Sequence, residues 1–208
     1  IWFTDPPYYD SIPYAHLADC FYVWLKRSLP ETVIGFSGVL CPKDGECVVD
    51  RPHSLSNSIK DEKYFEQKIG EAAKVGRNIL SPLGCGSIVF AHKTTEGWEA
   101  LLSGIIGGGW CVTASWPIAT ELTSRLNARD TASLATSVHL VCRPRPDDAS
   151  VGDWANVLRE LPNRVGNWME RLQNEHVRGA DLVFACIGPA LEIFSQYRKV
   201  ETAEGNEV

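Results

Sequence analysis

The sequence predicts an α/β protein: a sheet of short apolar strands under helical cover, with its last strand antiparallel to its neighbour. Three observations carry this. Short apolar runs alternate with longer stretches of helical spacing, in the order strand–helix–helix–strand–helix–strand–strand, then helices. Proline and glycine clusters mark the boundaries between them. The connection between the last two strands, residues 118–135, is polar and carries no obvious helix, which suits an antiparallel pair.

The elements follow in order. Ile1–Thr4 reads as a short buried strand, closed by the turn Asp5-Pro6-Pro7-Tyr8. Tyr14–Leu29 reads as a helix: Pro13 suits its first turn, Pro30 stops it, and Leu17, Phe21, Val23, Trp24 and Leu25 approximate an apolar stripe. Residues 31–58 are rich in Gly, Pro, Ser and Asp and read as a long surface loop or insertion. Helical spacing returns over Lys60–Leu80. Gly86–His92 reads as a buried strand. Thr95 is placed to cap a helix that runs to Gly107-Gly108-Gly109. Trp110–Trp116 and Ser137–Arg143 are the last two strands, ended by Pro117 and by Pro144 and Pro146. Residues 147–208 then read as a helical extension, about Trp154–Glu175 and Ala180–Tyr197, with Gly188-Pro189 kinking or splitting the last helix. Residues 1–146 thus form one unit and 147–208 its extension.

Composition excludes several classes. The 208 residues suffice for a sizeable core, and 44% apolar with 22% charged content is ordinary for a globular protein. A formal net charge of −6 argues against a polybasic nucleic-acid protein while leaving room for a local basic face. No run reaches the roughly 18–20 apolar residues of a membrane span. Seven cysteines, an odd number at scattered spacings, argue against a disulfide framework and for a reducing cytoplasm. Cys20, Cys111, Cys142 and Cys186 lie in apolar patterns, where buried thiols are common. Cys41 and Cys47, near His53, have the wrong spacing and too few partners for zinc, so no metal is expected.

The turn after the first strand holds the chemistry. In open α/β sheets, ligands bind beyond the carboxyl ends of strands. Pro6 and Pro7 fix the backbone and remove two N–H donors, so the carbonyls of Asp5 and Pro6 are free to face outward. Asp5 adds a carboxylate and Tyr8 a flat ring. Acceptors beside a stacking surface complement a planar ring with an exocyclic NH2, such as adenine or cytosine.

Asp-Pro-Pro-Tyr after an apolar strand resembles the catalytic motif of amino-group DNA methyltransferases, which modify adenine N6 or cytosine N4. The stretches "TDPPYYDSIPYAHLADCFYVWLKRSL", "IVFAHKTTEGWEALLSGII", "VTASWPIATE" and "SVHLVCRPR" resemble a DUF1156-type subgroup of adenine-specific DNA methylases. "GADLVFACIGPALEIFSQYRKVET" resembles that subgroup's segment beyond the last strand, so the likeness runs along nearly the whole chain. The resemblance implies a Rossmann-like methyltransferase sheet, from the catalytic strand onward, with its last strand antiparallel. It implies methyl transfer from S-adenosylmethionine to a flipped-out base in DNA, most simply adenine N6, with cytosine N4 as the alternative. Asp5 and the Pro6 carbonyl would accept the two amine N–H groups, Pro7 would stiffen the corner, and Tyr8 would stack on the base. No covalent nucleophile is required.

Weaker candidates surround this corner. Tyr9, Asp10 and Tyr14 are its neighbours, His92 lies at a second strand end, and Glu121, Arg125 and Arg129 lie in the polar connection. His16 and His92 are each more simply read as hydrogen-bonded structural residues. The family's Gly-rich turn for the cofactor, and the acidic residue for its ribose, have no counterpart here. Gly84 and Gly86 precede a strand, and Gly104 and Gly107 to Gly109 end a helix. The chain therefore reads as the carboxyl-terminal half of a larger unit, completed by a missing amino-terminal half or a complementing chain that pairs with the Ile1–Thr4 edge. A catalytically silent nucleic-acid-binding or scaffold module is the competing class. Residues 31–58 are the candidate for target recognition.

Overall fold

The structure is a computed structural model that describes residues 1–30, 33, 38–50, 60–119 and 136–208. Its elements are β1 (Trp2–Thr4), α1 (Tyr14–Ser28), α2 (Glu62–Ile79), β2 (Gly86–Phe90), α3 (Thr95–Gly107), β3 (Trp110–Ala119), β4 (Thr136–Pro144), β5 (Val151–Asp153), α4 (Trp154–Asn174), α5 (Ala180–Ala185), α6 (Ile187–Ser195) and β6 (Lys199–Glu201). The predicted order of the main elements is therefore the observed one, and the fold is a mixed α/β sheet with helical cover.

The main sheet has four strands in the order β1-β2-β4-β3. β1 and β2 are parallel, and β4 runs antiparallel to both of its neighbours, β2 and β3. The last strand has thus inserted between two strands made before it. Among the described residues β1 pairs with β2 alone, which leaves its other edge open.

One face of the sheet carries the core. Ile88 and Phe90 of β2, Val138, Leu140 and Cys142 of β4, and Trp110 and Val112 of β3 pack against Phe65, Ile69 and Ala73 of α2 and Trp98, Leu101 and Ile105 of α3. The Trp110 indole N–H donates to the Ala73 carbonyl at 2.8 Å, and its ring stacks on Trp2 with centroids 5.1 Å apart. That stacking passes over Gly86: a Cβ there would lie 2.7 Å from the Trp110 ring. Asp61 caps α2 by accepting from the Tyr64 N–H, and Thr94 caps α3 by accepting from Gly97. The cap of α3 is Thr94, one residue before the predicted Thr95, because Thr94 is the last extended residue and its hydroxyl reaches the Gly97 N–H.

Five expectations are corrected. The Ile1–Thr4 strand is not buried: Ile1 and Phe3 are exposed and Trp2 and Thr4 half-buried, because among the described residues it has a neighbour on one side only. β3 does not stop before Pro117 but runs through it to Ala119, because β3 is an edge strand and a proline there need not donate to a ladder. The extension is not purely helical: β5 and β6 form a small parallel pair flanking α4, α5 and α6. Cys20 is exposed on α1, and Cys111 only half-buried, whereas Cys142 and Cys186 are buried as expected. The α1 stripe faces outward: Leu17, Phe21 and Trp24 are 60%, 69% and 65% exposed. α1 buries only Ala15 and Tyr22.

The last helix splits at Cys186, just before Gly188-Pro189, into α5 and α6. Both pack on β3, where the Ser195 hydroxyl accepts from the Val112 N–H at 2.9 Å. Arg145, just past β4, ties the extension down by donating to the carbonyls of Ile106, Ser195 and Tyr197. No helix among the described residues is long and apolar enough to cross a membrane.

Candidate functional site

The corner Asp5-Pro6-Pro7-Tyr8 sits where three strand ends meet. β1 and β2 are parallel, β1 ending at Thr4 opposite Ile88 while β2 continues to Phe90, and antiparallel β4 begins beside them, with Val138 opposite Phe90. Asp5 is exposed, and Pro6, Pro7 and Tyr8 are half-buried. The corner is therefore reachable from outside while its far side is held.

Tyr8 is held in two ways. Its ring meets Phe90 edge-on with centroids 5.2 Å apart. Its phenol is pushed well above the ordinary tyrosine range, first by burial and then by a hydrogen bond to the Asp5 carboxylate and that group's charge. Ser137 of β4 acts in the opposite direction. A carboxylate can only accept, so the phenol donates to Asp5. Ser137 is itself buried. Tyr14, on the first turn of α1, is a further electrostatic neighbour of the phenol.

The next residues turn inward. Tyr9 is non-glycine with φ +51°, and its ring is buried at 5% exposure. That ring packs edge-on against Phe65 and His92, both at 5.3 Å. The Tyr9 carbonyl accepts from the Val49 N–H at 3.0 Å, and the Ser11 N–H donates back to the Tyr8 carbonyl at 2.8 Å, closing the turn. His92, just beyond β2, is 6% exposed and lies 3.0 Å from an Asp10 carboxylate oxygen through Nε2. Tyr9 and His92 are thus committed to packing beneath the corner, and Tyr14 stands exposed beside it.

Part of the predicted 31–58 loop is a strap over this region. The Glu46 carboxylate accepts from the Ala15 N–H at 2.9 Å. Lys43 pairs with Asp19 of α1 at 2.8 Å, and the Cys41 N–H donates to the same carboxylate at 2.9 Å. Hydrogen bonding to Lys43 holds Asp19 below the usual carboxylate range. On the other side, the Tyr64 hydroxyl donates to the Asp44 and Glu46 carbonyls, and the Lys60 ammonium donates to the Lys43 carbonyl. Burial pushes the Cys47 thiol up to about 11. His53, Glu121, Arg125 and Arg129 lie outside the described residues. Among the described residues no three His, Cys, Asp or Glu side chains converge as metal ligands.

The glycines weighed from the sequence as a cofactor cradle do not form one. Gly86 opens β2 beneath the Trp110 ring, and Gly107 to Gly109 close α3. None of them forms a turn leaving a strand, which is the geometry such a cradle needs. Two clefts lie elsewhere: one of about 490 Å3 includes Lys63, Glu66, Lys74 and Ser103, and one of about 450 Å3 includes Arg77, Pro144 and Asp147. Neither touches the corner.

Sequence reasoning picked out Asp5 to Tyr9, Asp10, Tyr14 and His92, and the structure brings Asp5, Tyr8, Tyr9, Asp10 and His92 into one contact network. It missed Phe90 and Ser137. Position at the start of a strand facing the corner was the only signal for Ser137, and strand pairing is needed to see it. Comparisons with family models, curated proteins and solved structures return no match to this chain.

Proposed function

We propose that this chain is the catalytic half of an S-adenosylmethionine-dependent DNA methyltransferase acting on an exocyclic amino group, adenine N6 first and cytosine N4 as the alternative target. The observation that carries the proposal is the exposed Asp5 carboxylate on a proline-stiffened corner that leaves the carboxyl end of β1.

The chemistry assigned to this chain is orientation. The free lone pairs of Asp5 accept one amine N–H, and the Pro6 carbonyl accepts the other. Two acceptors draw the N–H bonds toward the protein and raise electron density on the nitrogen. The Tyr8 phenol, itself held against Phe90, donates to the carboxylate and fixes it before a base arrives, so little reorganisation is needed. Tyr8 also offers its ring to the extruded base. S-Adenosylmethionine supplies the methyl group, but the described residues do not form its site. A complementing segment, in the same polypeptide or another, holds it and adds a strand to the open edge of β1. A catalytically silent DNA-binding module is the second reading, favoured by that same lack of a cradle.

The test uses the complemented protein with tritiated cofactor and adenine-containing or cytosine-containing duplexes. Asp5→Ala abolishes turnover and leaves cofactor affinity within about twofold, since each such electrostatic contact is worth about 10²–10³ in rate. Turnover at the wild-type rate in that variant would remove the carboxylate from the mechanism. If complemented protein binds DNA but never methylates it, the silent-module reading replaces this one.

A further inference from the structure

We infer that His92 and Asp10 form a positioning pair that fixes the orientation of the Asp5–Tyr8 corner against the end of β2. The geometry stands by itself; its consequence for turnover rests on the methyl-transfer reading above.

The proton arrangement follows from the neighbours of the ring. The Thr94 backbone N–H, which can only donate, faces His92 Nδ1 at 3.3 Å, and the Thr94 hydroxyl lies 3.2 Å from the same atom. That hydroxyl oxygen already accepts from the Gly97 N–H at 3.4 Å, so its own proton is available to Nδ1. Nδ1 is therefore an acceptor, and the imidazole carries its proton on Nε2. Nε2–H points at Asp10 Oδ1, 3.0 Å away, and donates to it.

The ring has no room to leave this pose. Phe90 stacks on it at 6.1 Å and Tyr9 meets it edge-on. Behind it, a Cβ on Gly97 would fall 2.3 Å from Nδ1, so only glycine fits at the start of α3. The Trp98 indole N–H donates to the His92 carbonyl at 3.0 Å, fixing the backbone as well. The α3 N-terminus thus holds His92, and His92 holds Asp10. Asp10 follows Tyr9, whose left-handed φ reverses the chain directly after Tyr8. Releasing Asp10 lets that reversal relax and turns the Tyr8 phenol away from Asp5.

Two measurements on this chain need no substrate. Nitrogen NMR of His92 gives the Nε2–H tautomer; the Nδ1–H tautomer would overturn the pair. Hydrogen exchange at the Ser11 amide, whose bond to the Tyr8 carbonyl closes the turn, reports on the corner directly. Asp10→Ala and His92→Phe speed that exchange about tenfold, the loss expected for a hydrogen bond to a charged group, while Leu140 in the sheet centre stays protected. Asp10→Asn keeps an acceptor, and His92→Gln keeps a donor; each returns exchange to within about threefold of wild type. Asp10→Ala alone suffices if His92→Phe does not fold. Unchanged Ser11 exchange in Asp10→Ala would overturn the inference. In the complemented protein, Asp10→Ala then lowers kcat with cofactor KM unchanged. If Ser11 loosens and kcat does not respond, the pair survives and the methyl-transfer reading falls.

Discussion

α1 and α3 both carry several large apolar side chains, and these end in different places. α3 buries Trp98, Leu101, Leu102 and Ile105 in the core it shares with α2 and the sheet. α1 turns Leu17, Phe21, Trp24 and Leu25 outward and is held by polar contacts to the 38–50 strap. Large exposed aromatics in one stripe are unusual for a lone surface and mark a face made for contact. The contrast shows that a helical stripe in sequence reports a helix with an apolar side, and says nothing about what covers that side.

The contrast can be broken at its buried end first. Trp110→Ala removes the ring that spans Gly86 and strands the Ala73 carbonyl, and costs about 3–5 kcal/mol in denaturant unfolding. A cost below about 1 kcal/mol would mean this core is not packed as described. Gly86→Ala drives a methyl into the same ring and costs about 1–3 kcal/mol by the same measurement. At the exposed end, Phe21→Ser with Trp24→Ser leaves stability within about 0.5 kcal/mol per site and lowers binding of an apolar dye. A large loss there would show that α1 is packed in solution against something this chain itself supplies.

The smallest effect sharpens how α1 is tethered. Asp19 is held below its ordinary range by Lys43, so the tether is complete above about pH 4 and is lost as pH falls through the lowered folded value. Amide exchange at Cys41, whose N–H donates to Asp19, therefore accelerates in acid while core amides stay protected. Asp19→Asn removes that acid-dependent step.

Much of the architecture was legible because it repeats at short range. The spacing of Phe65, Ile69 and Ala73 predicts α2, and the run Ile88–Phe90 predicts a buried strand, without any knowledge of partners. β5 and β6 were not legible: three residues each carry no period, and only their mutual pairing defines them. The corner was legible from its prolines and its place after a strand. Its supports were only partly so. His92 stood out as a strand-end histidine, but its link to Asp10 is a contact between distant parts of the chain. Ser137 offered only its place at the start of a strand, since its nearness to Tyr8 exists only once β4 lies beside β2.

That last arrangement has a consequence for synthesis on the ribosome. Tyr8 is made well before β4, the strand that carries its hydroxyl neighbour Ser137 and that lies between β2 and β3 in the finished sheet. A nascent chain consequently displays the tyrosine–aspartate corner long before that corner is finished. Only molecules that have completed the sheet hold it in its final shape, so assembly of the interior acts as a checkpoint on the surface group.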